Sequence, residues 1–361
     1  MNDIAYMKRM MELAQRAKGK TSPNPIVGAL LVKGGRVIAE GWHHHCGADH
    51  AEIVALKKAG KRARGAKLYV TLEPCSHYGR TPPCVDAIIR SGIKEVVVGM
   101  KDPNPVNNGK SLVKLKKAGI KIKVGFLESE LKKMNEIFVK YIQTKIPFVV
   151  VKIAQTLDGK IATATGQSKW ITSARAREYS HRLRNDFDAI LVGINTVLKD
   201  NPGLNAEQQF KRFKKIILDS SLRISLRAKL FKNTQASDII MATTQDAPKS
   251  KREFLLKKGV HVIVCPSKGG RINIKWLLSE LGRQDITSVL VEGGAQVVGS
   301  FLKEKCVDKF LIFIAPKLMG DQNALSAIQG ISLLNVEHSQ KLKNISVKHL
   351  GQDILIEAYP E

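Results

Sequence analysis

Cysteine is scarce in this chain: five residues in 361, an odd number and widely spread. That excludes a disulfide framework of the kind that staples small secreted domains. Aromatic residues are also few, at 6%, and no dense basic tract carries them interleaved, as a surface that stacks nucleic-acid bases would. Acidic residues are outnumbered, 32 Asp and Glu against 59 Lys and Arg, for a net charge of +27. The excess runs through both halves and is mostly lysine, the pattern of a solvated surface whose field draws in anionic small substrates. No apolar run is long enough to span a bilayer. The N-terminal stretch "MNDIAYMKRMMELAQRAK" lacks the continuous apolar core of a signal peptide. Its Ile4, Met7, Met10, Met11 and Ala14 recur at helical spacing instead. The expectation is a cytoplasmic protein with a small-molecule substrate, bound to neither membrane nor nucleic acid.

What is present is the composition of a globular protein, 43% hydrophobic and 25% charged, long enough for two domains. After the N-terminal helix, "IVGALLV" reads as a buried strand, turned by Gly34-Gly35 into "RVIAEGW". A helix from about His50, strand "KLYVTLE", helix "PPCVDAIIRSG" and strand "KEVVVGM" follow. Residues 104–145 add a helix, strand "IKIKVG" and one Lys/Glu-rich helix, "SELKKMNEIFVKYIQ". Pro147 opens a second series of strands and helices with no internal repeat. The alternation predicts two α/β domains, 1–145 and 146–361, each a sheet with helices on its faces.

Two of the five cysteines stand in "LEPCSHYGRTPPC", downstream of "HAE". His-x-Glu followed by Pro-Cys-x-x-Cys is the signature of zinc deaminases. Here Cys84 comes nine positions after Cys75 rather than three. The chemistry needs three ligands that leave a fourth position for water, together with a carboxylate that is not a ligand. His50, Cys75 and Cys84 are the candidate ligands, both sulfurs as thiolates, Cys75 favoured by the turn after Pro74 and Cys84 by its place at a helix start. Glu52 is the candidate proton carrier. A structural four-ligand knuckle, completed by His77 or one of His43, His44 and His45, is the alternative, although the three consecutive histidines read better as surface or rim residues. Cys46, Cys265 and Cys306 read as core or incidental thiols.

These stretches, with "TSPNPIVGALLV" and "IKEVVVGMKDPNP", resemble the deaminase half of the bifunctional bacterial riboflavin-biosynthesis enzymes, a family in which the two cysteines are separated by such an insertion. "VVKIAQTLDGKIA", "SKWITS", "RNDFDAILVGINTVLKDNP" and "EGG" resemble the reductase half. The resemblance implies a cytidine-deaminase-like three-layer α/β/α domain with one zinc ion, and a dihydrofolate-reductase-like α/β domain that uses NADPH. It implies deamination of a diaminopyrimidinone ribosyl phosphate, then reduction of the ribosyl chain to ribityl, in a homo-oligomer. By position, Ala154, Trp170, Thr196, Asp200, Ser220, Ser221 and Gly294 would line the NADPH site. Ser168, Arg184, Leu204 and Glu292 would contact the sugar phosphate, with Arg184 suited to phosphate by its planar fork, and Lys152 would sit at the reaction centre. The family's basic residue after "NP-x-L" is replaced here by Ala206, Glu207 and Gln208, with Lys211 and Arg212 the nearest cations. Two other readings remain open on the residues alone: a deaminase of tRNA bases, and a zinc-stabilised RNA-binding protein without catalysis.

Overall fold

The computed structural model describes residues 2–79, 82–207, 213–232 and 234–361, which form two compact units, Met1–Lys145 and Ile146–Glu361.

The first unit is built on five strands in the order Arg36–Trp42, Gly28–Lys33, Lys67–Leu72, Glu95–Met100 and Lys121–Val124. The first three pair antiparallel and the rest parallel. Gly34 and Gly35 both take positive φ, which closes the first hairpin with the twist its strands require. Helix Asp3–Gln15 is capped by Asn2, whose side chain accepts from the Ala5 N–H, and it buries Met7, Met10, Leu13 and Ala14. A side chain on Gly28 would strike the Met10 carbonyl of this helix. A side chain on Gly41 would strike the backbone of Ala51 and Ala55, in helix Ala51–Ala59. Gly41 pairs with Ala29, the neighbour of Gly28, and adjacent strand residues face opposite sides. The two helices therefore cover opposite faces, giving three layers. Gly41 is what lets the helix that begins beside His50 approach this closely; alanine there would push it away.

One element differs from its sequence expectation. "SELKKMNEIFVKYIQ" is two helices, Glu128–Met134 and Glu136–Thr144. Asn135, buried at the break, accepts from the Ile26 N–H (2.9 Å) and donates to the Ile26 carbonyl (3.2 Å). Its amide satisfies both backbone groups of a residue 109 positions away, and that inward pull interrupts the helix.

The second unit has a nine-stranded sheet, in the order His261–Val264, Ile239–Thr243, Lys214–Leu218, Ala189–Gly193, Ser288–Val291, Phe148–Thr156, Lys309–Ala315, Asp353–Pro360 and Leu342–Leu350. The first seven are mutually parallel, and the last two add antiparallel. Parallel strands need helical crossovers, and their apolar runs are covered on both faces. Val149, Val151, Leu191, Ile216, Leu277, Val289 and Phe301 pack into one such layer. Leu342–Leu350 is the edge, exposed along most of its length. Its Lys343, Asn344, Ser346 and Lys348 leave it without the apolar run that marks the buried strands, so the sequence reading passes over it. Among the described residues no helix is long and apolar enough to cross a membrane.

Candidate functional sites

His50 occupies the N-cap of helix Ala51–Ala59, and its ring turns across the helix end toward the cysteines. His50 Nδ1 lies 3.2 Å from Cys84 Sγ and 3.6 Å from Cys75 Sγ. All three donor atoms fall within 4.8 Å of one another, and no other three-residue His, Cys, Asp or Glu group could hold a metal among the described residues. With Zn–N and Zn–S bonds of usual length, tetrahedral zinc sets nitrogen and sulfur ligands about 3.6 Å apart. The donors fit a zinc ion in kind and spacing, and three of them leave one position open. Cys84 begins helix Cys84–Arg90 behind Pro83.

The cysteines differ in the state the fold gives them. The Cys75 thiol is pulled down to about 4, because the Cys84 thiol and His50 donate to it, against the effect of burial. The Cys84 backbone N–H adds a further donation at 3.2 Å. Cys84 is held up by the same shared proton and by burial. A metal that binds both sulfurs would displace that proton.

Glu52, in the first turn of the helix, is 3% exposed. Burial pushes its carboxyl up to about 7, with His50 opposing. It stands outside the donor cluster, as a group that can hold or release a proton. Of the three consecutive histidines, His44 and His45 are exposed, but His43 is buried, which corrects its reading as a rim residue. Its ring nitrogens meet the Asp49 carbonyl at 3.1 Å and Asn24 Nδ2 at 3.2 Å, and burial lowers its pKa to about 4. A neutral ring that donates from Nδ1 and accepts at Nε2 satisfies both partners.

The second unit holds a separate cavity of about 610 Å3. It opens at the carboxyl ends of parallel strands, where open α/β sheets bind ligands. Lys152, Ala154, Ser168, Trp170, Thr196, Asp200, Ser220, Ser221, Glu292 and Gly294 all line it. A Cβ on Gly293 would collide with Val297, so the turn from strand Ser288–Val291 into helix Ala295–Lys303 requires glycine there. Gly294 is that helix's N-cap, which turns backbone N–H groups toward the cavity, a suitable seat for a pyrophosphate.

Arg184 and Leu204 are not in the lining. Leu204 is buried, with φ of 53°. Arg184 turns its fork onto Glu292, Nε to Oε1 at 2.8 Å and Nη2 to Oε2 at 3.1 Å, while Nη1 donates to the Asn205 carbonyl. The two expected substrate contacts thus hold each other, because a carboxylate matches the guanidinium fork as well as a phosphate does. Lys152 Nζ lies 3.6 Å from the same carboxylate. Burial would raise the Glu292 pKa, but Lys152 and Arg184 outweigh it and hold it down to about 2. Gln208, Lys211 and Arg212 lie outside the described residues. The motif reading also does not reach His181, Lys199, Arg223 and Arg271, further cationic or titratable groups of the lining. It does not reach Lys215 either, a buried lysine whose ammonium donates to Gly203 O and to Asn205 Oδ1. Such groups carry no local sequence marker.

Comparison with known proteins matches residues 1–100 to the cytidine and deoxycytidylate deaminase zinc-binding region, and residues 147–356 to the RibD C-terminal domain. The riboflavin biosynthesis protein RibD of Aquifex aeolicus is 46% identical over 98% of this chain and 97% of its own length. A Thermotoga maritima structure described as a diaminohydroxyphosphoribosylaminopyrimidine deaminase/5-amino-6-(5-phosphoribosylamino)uracil reductase is 40% identical, with a TM-score of 0.86 over 99% of both chains. Acinetobacter baumannii RibD, form 1, is 36% identical, with a TM-score of 0.90 over 99% of both.

Proposed function

The chain belongs to the RibD family of bifunctional riboflavin-biosynthesis enzymes, and from that premise we propose how its two units divide the work. The protein deaminates a diaminopyrimidinone ribosyl phosphate with zinc and reduces the ribosyl chain to ribityl with NADPH. We assign the deamination to residues 1–145 and the reduction to 146–361. The observation that carries this assignment is the buried Glu52 beside a three-donor cluster in one unit, and a glycine-turned cavity in the other.

His50, Cys75 and Cys84 would hold the zinc, which when bound supplies the Lewis acidity that makes water nucleophilic near neutral pH. Glu52 would take one proton from the attacking water and deliver it to the ring nitrogen, then pass the second, from the new hydroxyl, to the departing amine, which leaves as ammonia. In the second unit the helix end at Gly294 receives the cofactor's pyrophosphate, beside Thr196, Asp200 and the Ser220-Ser221 turn, with Ala154 and Trp170 along the walls. Lys152 faces the opened sugar and is held in place by Glu292. Ser168 borders the sugar phosphate, and Arg184 reaches it by giving up its bond to the Asn205 carbonyl. The tRNA-deaminase and RNA-binding readings lose their ground, because full-length likeness extends over both halves. We further assign the protein to the cytoplasm, where thiol ligands stay reduced, and to a homo-oligomer joined through the exposed edge strand Leu342–Leu350, with Ile345 and Val347 on its surface.

The test is to give purified protein the diaminopyrimidinone ribosyl phosphate with and without NADPH and to weigh the products. Without NADPH, one amino group is replaced by oxygen and ammonia is released; with it, two hydrogens are added. Reduction without prior deamination, or no reaction with zinc-replete protein, would overturn the division of labour.

A further inference from the structure

The loop that carries Cys75 is fastened from a distant segment of the chain by one side chain. Asn107 is fully buried. Its Nδ2 donates to the Pro74 carbonyl (3.0 Å) and to Asp102 Oδ2 (3.1 Å). Its Oδ1 accepts from the Ser76 N–H (3.0 Å) and from Ser76 Oγ (2.7 Å). The amide thus bonds the residue before Cys75 and the residue after it, as a neighbouring strand would. Its orientation is fixed by its partners, since a backbone N–H can only donate and a backbone carbonyl can only accept.

The remaining groups of Cys75 are held from another side: its carbonyl accepts from the Val85 N–H, and its sulfur from the Cys84 N–H. Asn107 is itself anchored. Glu73, at the end of strand Lys67–Leu72, accepts from the Asp102 N–H, the Gly109 N–H and the Ser111 hydroxyl. The side chains that link the sheet end to the Cys75 loop, Glu73, Asp102, Asn107 and Ser111, are all buried.

We propose that Asn107 is a positioning residue for the deaminase site, setting where the Cys75 sulfur stands relative to His50 and Cys84. The proposal rests on the zinc reading given above. Outer partners that fix a ligand's orientation are worth about 10- to 100-fold in metal affinity when removed. A small displacement of Cys75 opens the three-donor geometry without removing any donor.

The experiment uses the full-length zinc-loaded protein and follows metal release to a chromophoric chelator. Asn107→Ala is expected to release zinc about 10- to 100-fold faster than wild type, with an unchanged melting temperature of the metal-free protein. After cobalt exchange, its thiolate-to-metal absorption should shift while the stoichiometry stays at one. If the alanine variant does not fold, Asn107→Ser, which keeps a hydroxyl in the same space, is expected to show the same two changes. A folded variant with wild-type release and an unshifted cobalt spectrum overturns the proposal, as does faster release matched by a lowered metal-free melting temperature. Wild-type protein that binds no zinc, or Cys75→Ser protein that holds it as tightly as wild type, would instead defeat the zinc reading itself.

Discussion

Glu52 is buried beside His50, Cys75 and Cys84 without adding a fourth donor to them. Glu52→Gln keeps the volume and removes the exchangeable proton. It is expected to retain zinc, measured by metal analysis, and to lose deamination by at least the ~10²–10⁴ of ordinary acid–base help. Loss of zinc along with activity would make Glu52 a ligand. Glu292 gives a second expectation, on stability. Its folded pKa of about 2 lies below the usual 4.5, so the folded state binds fewer protons than the unfolded chain between those values. The resulting stabilisation is fully present above about pH 4.5 and is lost as pH falls toward 2. It amounts to about 3 kcal/mol. Glu292→Gln should lower the urea midpoint at pH 7 and flatten its fall between pH 4.5 and 2; an unchanged acid limb would refute the pairing. The two residues were not equally legible. Glu52 and the three donors stand beside local marks: a His-x-Glu, a Pro-Cys and a Pro-Pro-Cys. The Arg184–Glu292 pair joins residues 108 positions apart, and nothing near either one announces the other.

The same limit governs whole elements. Strands such as Ser288–Val291, buried at every position, declare themselves by their apolar runs. Helix Ile194–Asp200 and helix Lys249–Lys257 do not, the first because it is short, the second because only Leu255 is buried within it. The break at Asn135 is invisible for another reason: helical periodicity continues through it, and its cause is the backbone of Ile26. Asn135→Ala would leave the Ile26 N–H and carbonyl without these partners, at a cost of about 1–3 kcal/mol. The expected result is a lowered midpoint for unfolding of the first unit, with reduction of the deaminated intermediate unaffected. A variant as stable as wild type would mean that the two helices straighten into one at no cost.

At the scale of the molecule, each unit has its own sheet and its own core. Chelation of the holoenzyme is therefore expected to stop ammonia release and leave NADPH oxidation with the deaminated intermediate intact. Loss of both activities on chelation would contradict two independent sites. The sheet order of the second unit has a further consequence, for synthesis on the ribosome. Strand Phe148–Thr156 is the first of that sheet to be translated, yet its neighbours are Ser288–Val291 and Lys309–Ala315. Its apolar side chains emerge early, and its backbone has no pairing partner until Ser288–Val291 has been made. Pairing of such sequence separation is slow and open to aggregation. The first unit pairs strands that are close in sequence, and it can close while the second is still being made. A nascent chain stalled before Ser288 should thus protect residues 28–72 from protease and leave 148–156 open to it, a segment that depends on chaperones until the last third of the chain arrives.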